Sequence, residues 1–213
     1  MLVKLNLKYF IFILVFIGFL VSSNLIFDEI DAKKSNDKSK KKISICCTWG
    51  HTLEDGTLTY VIKNGDNALH KIVKSSLNDW EDALSVLQFQ EVDDSVNHDI
   101  SIDFKKGKGK KVGKTITYFD NKGFINHVEI SLSKKSYGVK LDKTILEHIT
   151  KHEIGHSLGL GHANFKNTLM SPVVNEVTTK ISKCEIDAVK NANEWKFENN
   201  NSPSSVDKSF KCK

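Results

Sequence analysis

Residues 151–172 read KHEIGHSLGLGHANFKNTLMSP, with histidines at 152, 156 and 162. On a helix, His152 and His156 leave the same face one turn apart. That spacing brings two neutral imidazole nitrogens within bonding reach of one zinc ion. Glu153 follows the first histidine and is set to reach a water held by that ion rather than the ion itself. Gly159 tolerates a left-handed backbone, so the helix can end there and the chain can turn sharply. His162 then returns to the same point as a third ligand. Three protein ligands leave zinc an open position, the catalytic rather than the structural arrangement. The rival reading is an ordinary helix that happens to carry histidines. A pair at i and i+4 does not separate the two readings; the five fixed positions of H-E-x-x-H-x-x-G-x-x-H do, and they favour the metal. His148 lies one turn before His152, but Ile149 follows it, so that pair has no base and receives no role.

The helix bearing these residues is predicted to start near Leu141 or Asp142. Before it, TLTYVI (57–62) reads as a strand. Leu69, Ile72, Val73, Leu77, Trp80 and Leu84 recur at the spacing of one long amphipathic helix. DISIDF (99–104) alternates as a half-buried strand does. KTITYFDNKGFINHVEISL (114–132) reads as two strands joined by a turn at Asp120 to Gly123. Behind the histidines, SKCE (182–185) has the Ser-x-x-Glu form of a capping box and opens a last helix. No internal repeat is visible. Strands and helices interleave as an α/β or α+β domain, expected over residues 44–198 and followed by a polar tail at 199–213.

The 213 residues, 39% of them hydrophobic, suit one domain with terminal appendages. The net charge of +5 comes from lysine alone, with no arginine in the chain. The residue that forks onto guanine and phosphate is missing, so nucleic acid is not an expected partner. Lys4 and Lys8 precede the uncharged run YFIFILVFIGFLV (9–21), with Ser22 and Ser23 after it. Residues 1–27 therefore read as a signal peptide or a retained N-terminal membrane anchor, and either puts the remainder outside the cell. DAKKSNDKSKKK (31–42) reads as solvated linker within a lysine-rich 28–43 segment. The four cysteines, Cys46, Cys47, Cys184 and Cys212, imply two disulfides. Neighbouring cysteines seldom bond each other, so Cys46 and Cys47 are each expected to reach toward the C-terminal part. A thiolate capping the zinc from the N-terminal side is the alternative.

The motif resembles that of metzincin zinc endopeptidases, and HEIGHSLGLGHANFKNTLMSP (152–172) is most similar to the matrixin, or matrix-metalloprotease, branch. TWGHTLEDGTLTYVI (48–62), LNDWEDALSVLQFQEV (77–92), HDISIDF (98–104) and ISKCEIDAVK (181–190) are similar to successive elements of that fold. The resemblance implies an α+β zincin-like domain. Its mostly parallel twisted sheet has one antiparallel edge strand, and it carries two long helices and a C-terminal helix. It implies His152, His156 and His162 as ligands of one catalytic Zn2+, Glu153 as general base and Met170 as the apolar floor beneath them. It also implies an extended peptide substrate added to a sheet edge, for which GKTITYF (113–119) is the candidate, with Pro172 to Lys180 walling a side-chain pocket. A monomer is expected. In matrixins the start of the domain packs near the final helix, which would bring Cys46 or Cys47 to Cys184 and leave Cys212 for the other.

The chain also departs from the family. DFKKGKGKKVGKT (103–115) occupies the region of the family's structural zinc and calcium, yet carries six lysines and no H-x-D. Ammonium groups repel divalent cations, so both structural ions are predicted absent. The usual tyrosine after the methionine is replaced near Ser171 and Val173. Two functions follow: a secreted or surface-anchored zinc endopeptidase, or a catalytically silent surface module that binds peptides. Because the histidines bind metal only when neutral, activity and metal are expected to fall together below about pH 6.

Overall fold

The computed structural model describes residues 40–49, 53, 55–106, 109–174, 177–194 and 209–212. The expected signal or anchor segment, residues 1–27, lies outside the described residues, as does most of the C-terminal tail. Among the described residues no helix is long and apolar enough to cross a membrane.

The main sheet contains β2 (Thr48–Trp49), β3 (Thr57–Lys63), β4 (Gln88–Glu91), β5 (Ile100–Phe104), β6 (Gly113–Phe119) and β7 (Phe124–Leu132). Strands β2, β7, β5, β3 and β4 run in that order and are parallel. Strand β6 joins β7 antiparallel and forms the edge, giving the expected mostly parallel sheet with one reversed border. In β5 and β7 the side chains of Ile100, Ile102, Val128, Ile130 and Leu132 point into one core. The alternation in β7 changes phase near Ile125, where the register with β6 slips between Tyr118 and Phe119. A bulge of this kind lets Ile125 stay buried on a twisted strand.

Helix α1 (Asn67–Leu84) starts at Asp66, whose side chain accepts from the Ala68 and Leu69 amides at 3.1 Å each. It buries the predicted stripe from Leu69 to Leu84. Helix α2 (Lys143–Ser157) carries the first two histidines and starts where the sequence predicts. Its cap, Asp142, accepts from the Ile145 amide at 2.8 Å, a contact of the kind worth about 1 kcal/mol. Buried positions surround α2 on several faces because it lies between α1 and the sheet. Two tryptophans pin it. Trp80 Nε1 donates to Lys151 O at 3.1 Å, and Trp49 Nε1 donates to Ser157 O at 2.9 Å at the helix's end. Helix α3 (Lys183–Ala192) follows the Ser182 cap. Buried Asn193 closes it, accepting from Thr48 Oγ1 and the Trp49 amide while donating to Leu158 O and Val189 O.

Two short ladders complete the described structure. Strands β8 (Lys135–Ser136) and β9 (Val139–Lys140) form a hairpin. Strand β1 (Lys42–Ile45) pairs antiparallel with both β10 (Leu160–Ala163) and β11 (Ser209–Lys211). Thus β1 begins inside the stretch read as linker, with Ile43 fully buried, and part of the polar tail is a strand.

That second ladder corrects the cysteine expectation. Pairing of Lys42 with Lys211, and the Cys212 amide donating to Lys41 O at 2.9 Å, deliver Cys212 to the first turn of α3. There it bonds Cys184, across a Cα separation of 5.4 Å that suits a disulfide. Cys46 and Cys47 are left as neighbours and bond each other, contrary to the expectation that each would reach the C-terminal part. No cysteine remains free to cap a metal.

Candidate metal centre

Helix α2 presents His152 and His156 one turn apart, with ring centroids 4.6 Å from each other. The helix stops after Ser157, and Gly159 takes φ +92°. A Cβ there would run into Cys47 O, so the position needs glycine for space as well as for its backbone angle. The turn feeds β10, which carries His162 back to centroid distances of 5.4 Å from His152 and 4.9 Å from His156. One ring nitrogen from each histidine lies within 4.8 Å of the others.

The remaining ring atoms decide which nitrogens are free. His152 Nδ1 donates to Leu169 O at 2.6 Å and His156 Nδ1 donates to Leu160 O at 2.7 Å. A carbonyl can only accept, so both Nδ1 atoms carry the proton and both Nε2 atoms offer lone pairs. Backbone carbonyls behind ligating imidazoles are the usual device for orienting them toward a metal.

Burial holds these rings neutral. It pushes His152 down to about 3, reinforced by the nearby His156 and His162, while the Leu169 carbonyl pulls the other way. Burial also lowers His156, and burial followed by the neighbouring His156 lowers His162. Neutral nitrogens without protons are what a divalent cation binds. The residues fit a zinc ion.

Met170 is fully buried. A Cβ on Gly155 of α2 would approach Met170 Sδ to 2.6 Å, so glycine at 155 is what admits the thioether. Leu169 O receives the proton of His152, and Met170 O accepts from the Ala163 amide at 2.8 Å, next to His162. The methionine turn therefore touches both histidine-bearing segments, α2 and β10, through its backbone. It is held in turn by Glu185, a wholly buried carboxylate. Glu185 Oε1 accepts from the Leu169 amide at 3.1 Å and from Thr168 Oγ1, and Oε2 accepts from the Ser182 amide at 2.9 Å. The sequence marks Glu185 only as the capping-box acid of α3; its reach to the methionine turn, across 16 residues, has no local signature.

Glu153 is 6% exposed and faces the edge strand. Thr115 Oγ1 of β6 donates to Glu153 Oε2 at 2.6 Å. A Cβ on Gly113, two residues earlier on the same face, would strike Glu153 Oε1. Burial raises the carboxyl to about 7, opposed by the Thr115 hydrogen bond and the positive Lys111. Sequence reading missed both Gly113 and Thr115, although the alternation in GKTITYF puts them on one face.

His148 is buried rather than idle. Its Nδ1 lies 2.6 Å from Thr178 O and 3.1 Å from the Thr178 amide nitrogen, and Lys151 Nζ donates to Thr179 O at 2.7 Å. Two side chains of α2 thus grip the backbone of the segment that follows the methionine turn. A groove of about 1040 Å³ lies elsewhere, between α1 and the start of α2, and is lined by none of the histidines.

The family model for matrixin peptidases matches residues 48–194, more than half of the chain. No curated protein matches the chain. Among solved structures, one of myroilysin is similar at 18% identity, over 57% of this chain and 54% of that one, with a TM-score of 0.39. A second myroilysin structure is similar at 19% identity over 54% of this chain and 46% of that one, with a TM-score of 0.37. The chain thus spans about half the length of those structures.

Proposed function

Because the chain belongs to the matrixin family, we propose that it is a zinc-dependent endopeptidase cutting peptide bonds in proteins or peptides outside the cell. The observation that carries this reading is the convergence of three ring nitrogens within 4.8 Å, with a buried carboxylate on the adjoining residue. His152, His156 and His162 would hold the ion. Zinc there supplies Lewis acidity: it polarises a bound carbonyl and makes a water molecule a stronger acid. Everything else falls to side chains of this protein. Glu153 takes a proton from the attacking water at one carboxylate oxygen and delivers it to the departing amine. Gly113 and Thr115 keep that carboxylate beside β6, where an extended substrate adds as a further strand. A module that only bound peptides would have no use for a buried carboxylate in this place.

The test is hydrolysis of casein or a peptide library by purified protein. Cleavage should stop with a chelator and return with zinc. One bound zinc without any cleavage would leave the silent module as the reading.

Thr115→Val is expected to lower kcat about ten- to a hundredfold, the worth of one hydrogen bond to a charged group. KM should hardly move, and Thr115→Ser should recover most of the rate. Steady-state kinetics on one peptide check both.

Acidity should separate activity from metal content. The depressed histidines resist protonation below the ordinary imidazole range. Zinc should therefore stay bound well under pH 6, not leave together with activity as the sequence alone leads one to expect. Glu153 acts as a base only when ionised, and burial raises its pKa to about 7; a dication held by the histidines would pull that value down. The acid limb of kcat/KM should then fall at or somewhat below about pH 7, with zinc still present by elemental analysis. Loss of metal along the same pH curve as activity would contradict this.

A further inference from the structure

We propose that the protein selects substrates with acidic side chains, which the lysine cluster at the Gly113 end of β6 draws to the cleft. This deepens the endopeptidase reading and rests on it.

The positive charge is not spread evenly along the chain. Residues 105–140 contain ten lysines against two acids, Asp120 and Glu129, an excess larger than the whole chain's net charge of +5. Lysine-rich composition alone would distribute that excess; here it gathers in the two loops flanking the edge strand's start. The fold holds those loops side by side. The Ser133 amide donates to Val112 O at 2.8 Å, and the Tyr137 amide donates to Gly109 O at 3.1 Å. Lys111 and Lys114 bracket Gly113, the residue packed against Glu153, and the charge of Lys111 is felt at that carboxylate.

These charges have little to neutralise them. Among the described residues, Lys106, Lys110, Lys111, Lys114 and Lys135 form no ion pair. Lys105 and Lys134 have only distant partners, Asp103 and Asp66, each at 3.9 Å. A crowd of like charges beside a cleft repels itself and attracts an anionic ligand.

The neighbouring edge gives that ligand a form. Among the described residues, strand β6 pairs only with β7, which leaves its outer backbone groups for an added strand. Main-chain hydrogen bonds along such an edge are indifferent to sequence, and side chains reaching past it supply the choice. Lysine ammonium groups are mobile point charges without a fixed fork. They favour a run of Asp and Glu near the cut rather than one carboxylate in a shaped pocket.

The experiment uses the zinc-loaded full chain and three fluorogenic peptides with the same neutral cleavable core. Paired Glu, Gln or Lys residues flank the core on either side. The Glu peptide should show kcat/KM about tenfold above the Gln peptide, with the Lys peptide lowest, and high salt should bring the ratios toward one. The Glu-to-Gln ratio should also fall toward one in the triple variant Lys110→Gln, Lys111→Gln, Lys114→Gln. The salt series on the wild type decides the matter if that variant does not fold. Binding of the same peptides to chelator-treated protein, followed by anisotropy, separates the two claims. Hydrolysis with equal ratios overturns acidic selection, and so does a preference that survives both salt and the triple substitution. Acid-selective binding without hydrolysis overturns the endopeptidase reading and leaves selection standing. Equal peptide ratios together with sedimentation on anionic lipid vesicles would assign the lysines to a membrane surface and also overturn the proposal.

Discussion

Glu153→Gln is expected to leave one zinc bound and to lower kcat by about 10²- to 10⁴-fold, the usual contribution of a general base. The amide is nearly isosteric and can still accept from Thr115 Oγ1, which now donates to Glu153 Oε2 at 2.6 Å. The groups around it should therefore stay in place, and KM should change little. A loss confined to kcat removes an interaction made only in the transition state. Metal analysis beside steady-state kinetics makes the experiment decisive. If the variant loses zinc, Glu153 is a ligand or a scaffold for the ligands. If it retains zinc and full activity, another group accepts the proton and the assignment is wrong.

His156→Ala should do the opposite, emptying the site. His156 is one corner of the trio, 4.6 Å from His152 and 4.9 Å from His162 by centroid. Its removal leaves two donors and a gap. Zinc content should drop from about one per chain to near zero at submicromolar free metal, and peptide hydrolysis should become undetectable. Stability gives an independent readout. A ligand a thousandfold above its dissociation constant stabilises the fold by about 4 kcal/mol. For a domain of this size that is a rise in Tm on the order of 10 °C. The wild type should show this rise on adding zinc, and the variant should show almost none. A zinc-dependent shift of equal size in the variant would mean that the metal is held elsewhere.

How much of this could be read from the residues depended on the range of each contact. His152, His156 and Gly159 are legible because helix periodicity and the special backbone of glycine are local properties. So are the Asp142 and Ser182 caps. His162 needed one further assumption, that the chain turns back at Gly159, and it does. Contacts that span the fold left no trace. Thr115 and Glu153 are 38 residues apart, and nothing near either predicts the hydrogen bond between them. The cysteines failed for a related reason. Four thiols admit three pairings, and the choice was made by β11, a three-residue strand inside an otherwise polar segment. The pairing of β11 with β1 brings Cys212 to Cys184. His148 was set aside because it lacks a neighbouring acid, yet its partner is main chain 30 residues away.

The grip of α2 on residues 178 and 179 has an evolutionary corollary. His148 and Lys151 hold main-chain atoms of that stretch and none of its side chains. Side chains along that stretch can drift, or be exchanged in the laboratory, without loosening the tether. Descendants of this protein can thus vary that segment while inheriting the same helix unchanged.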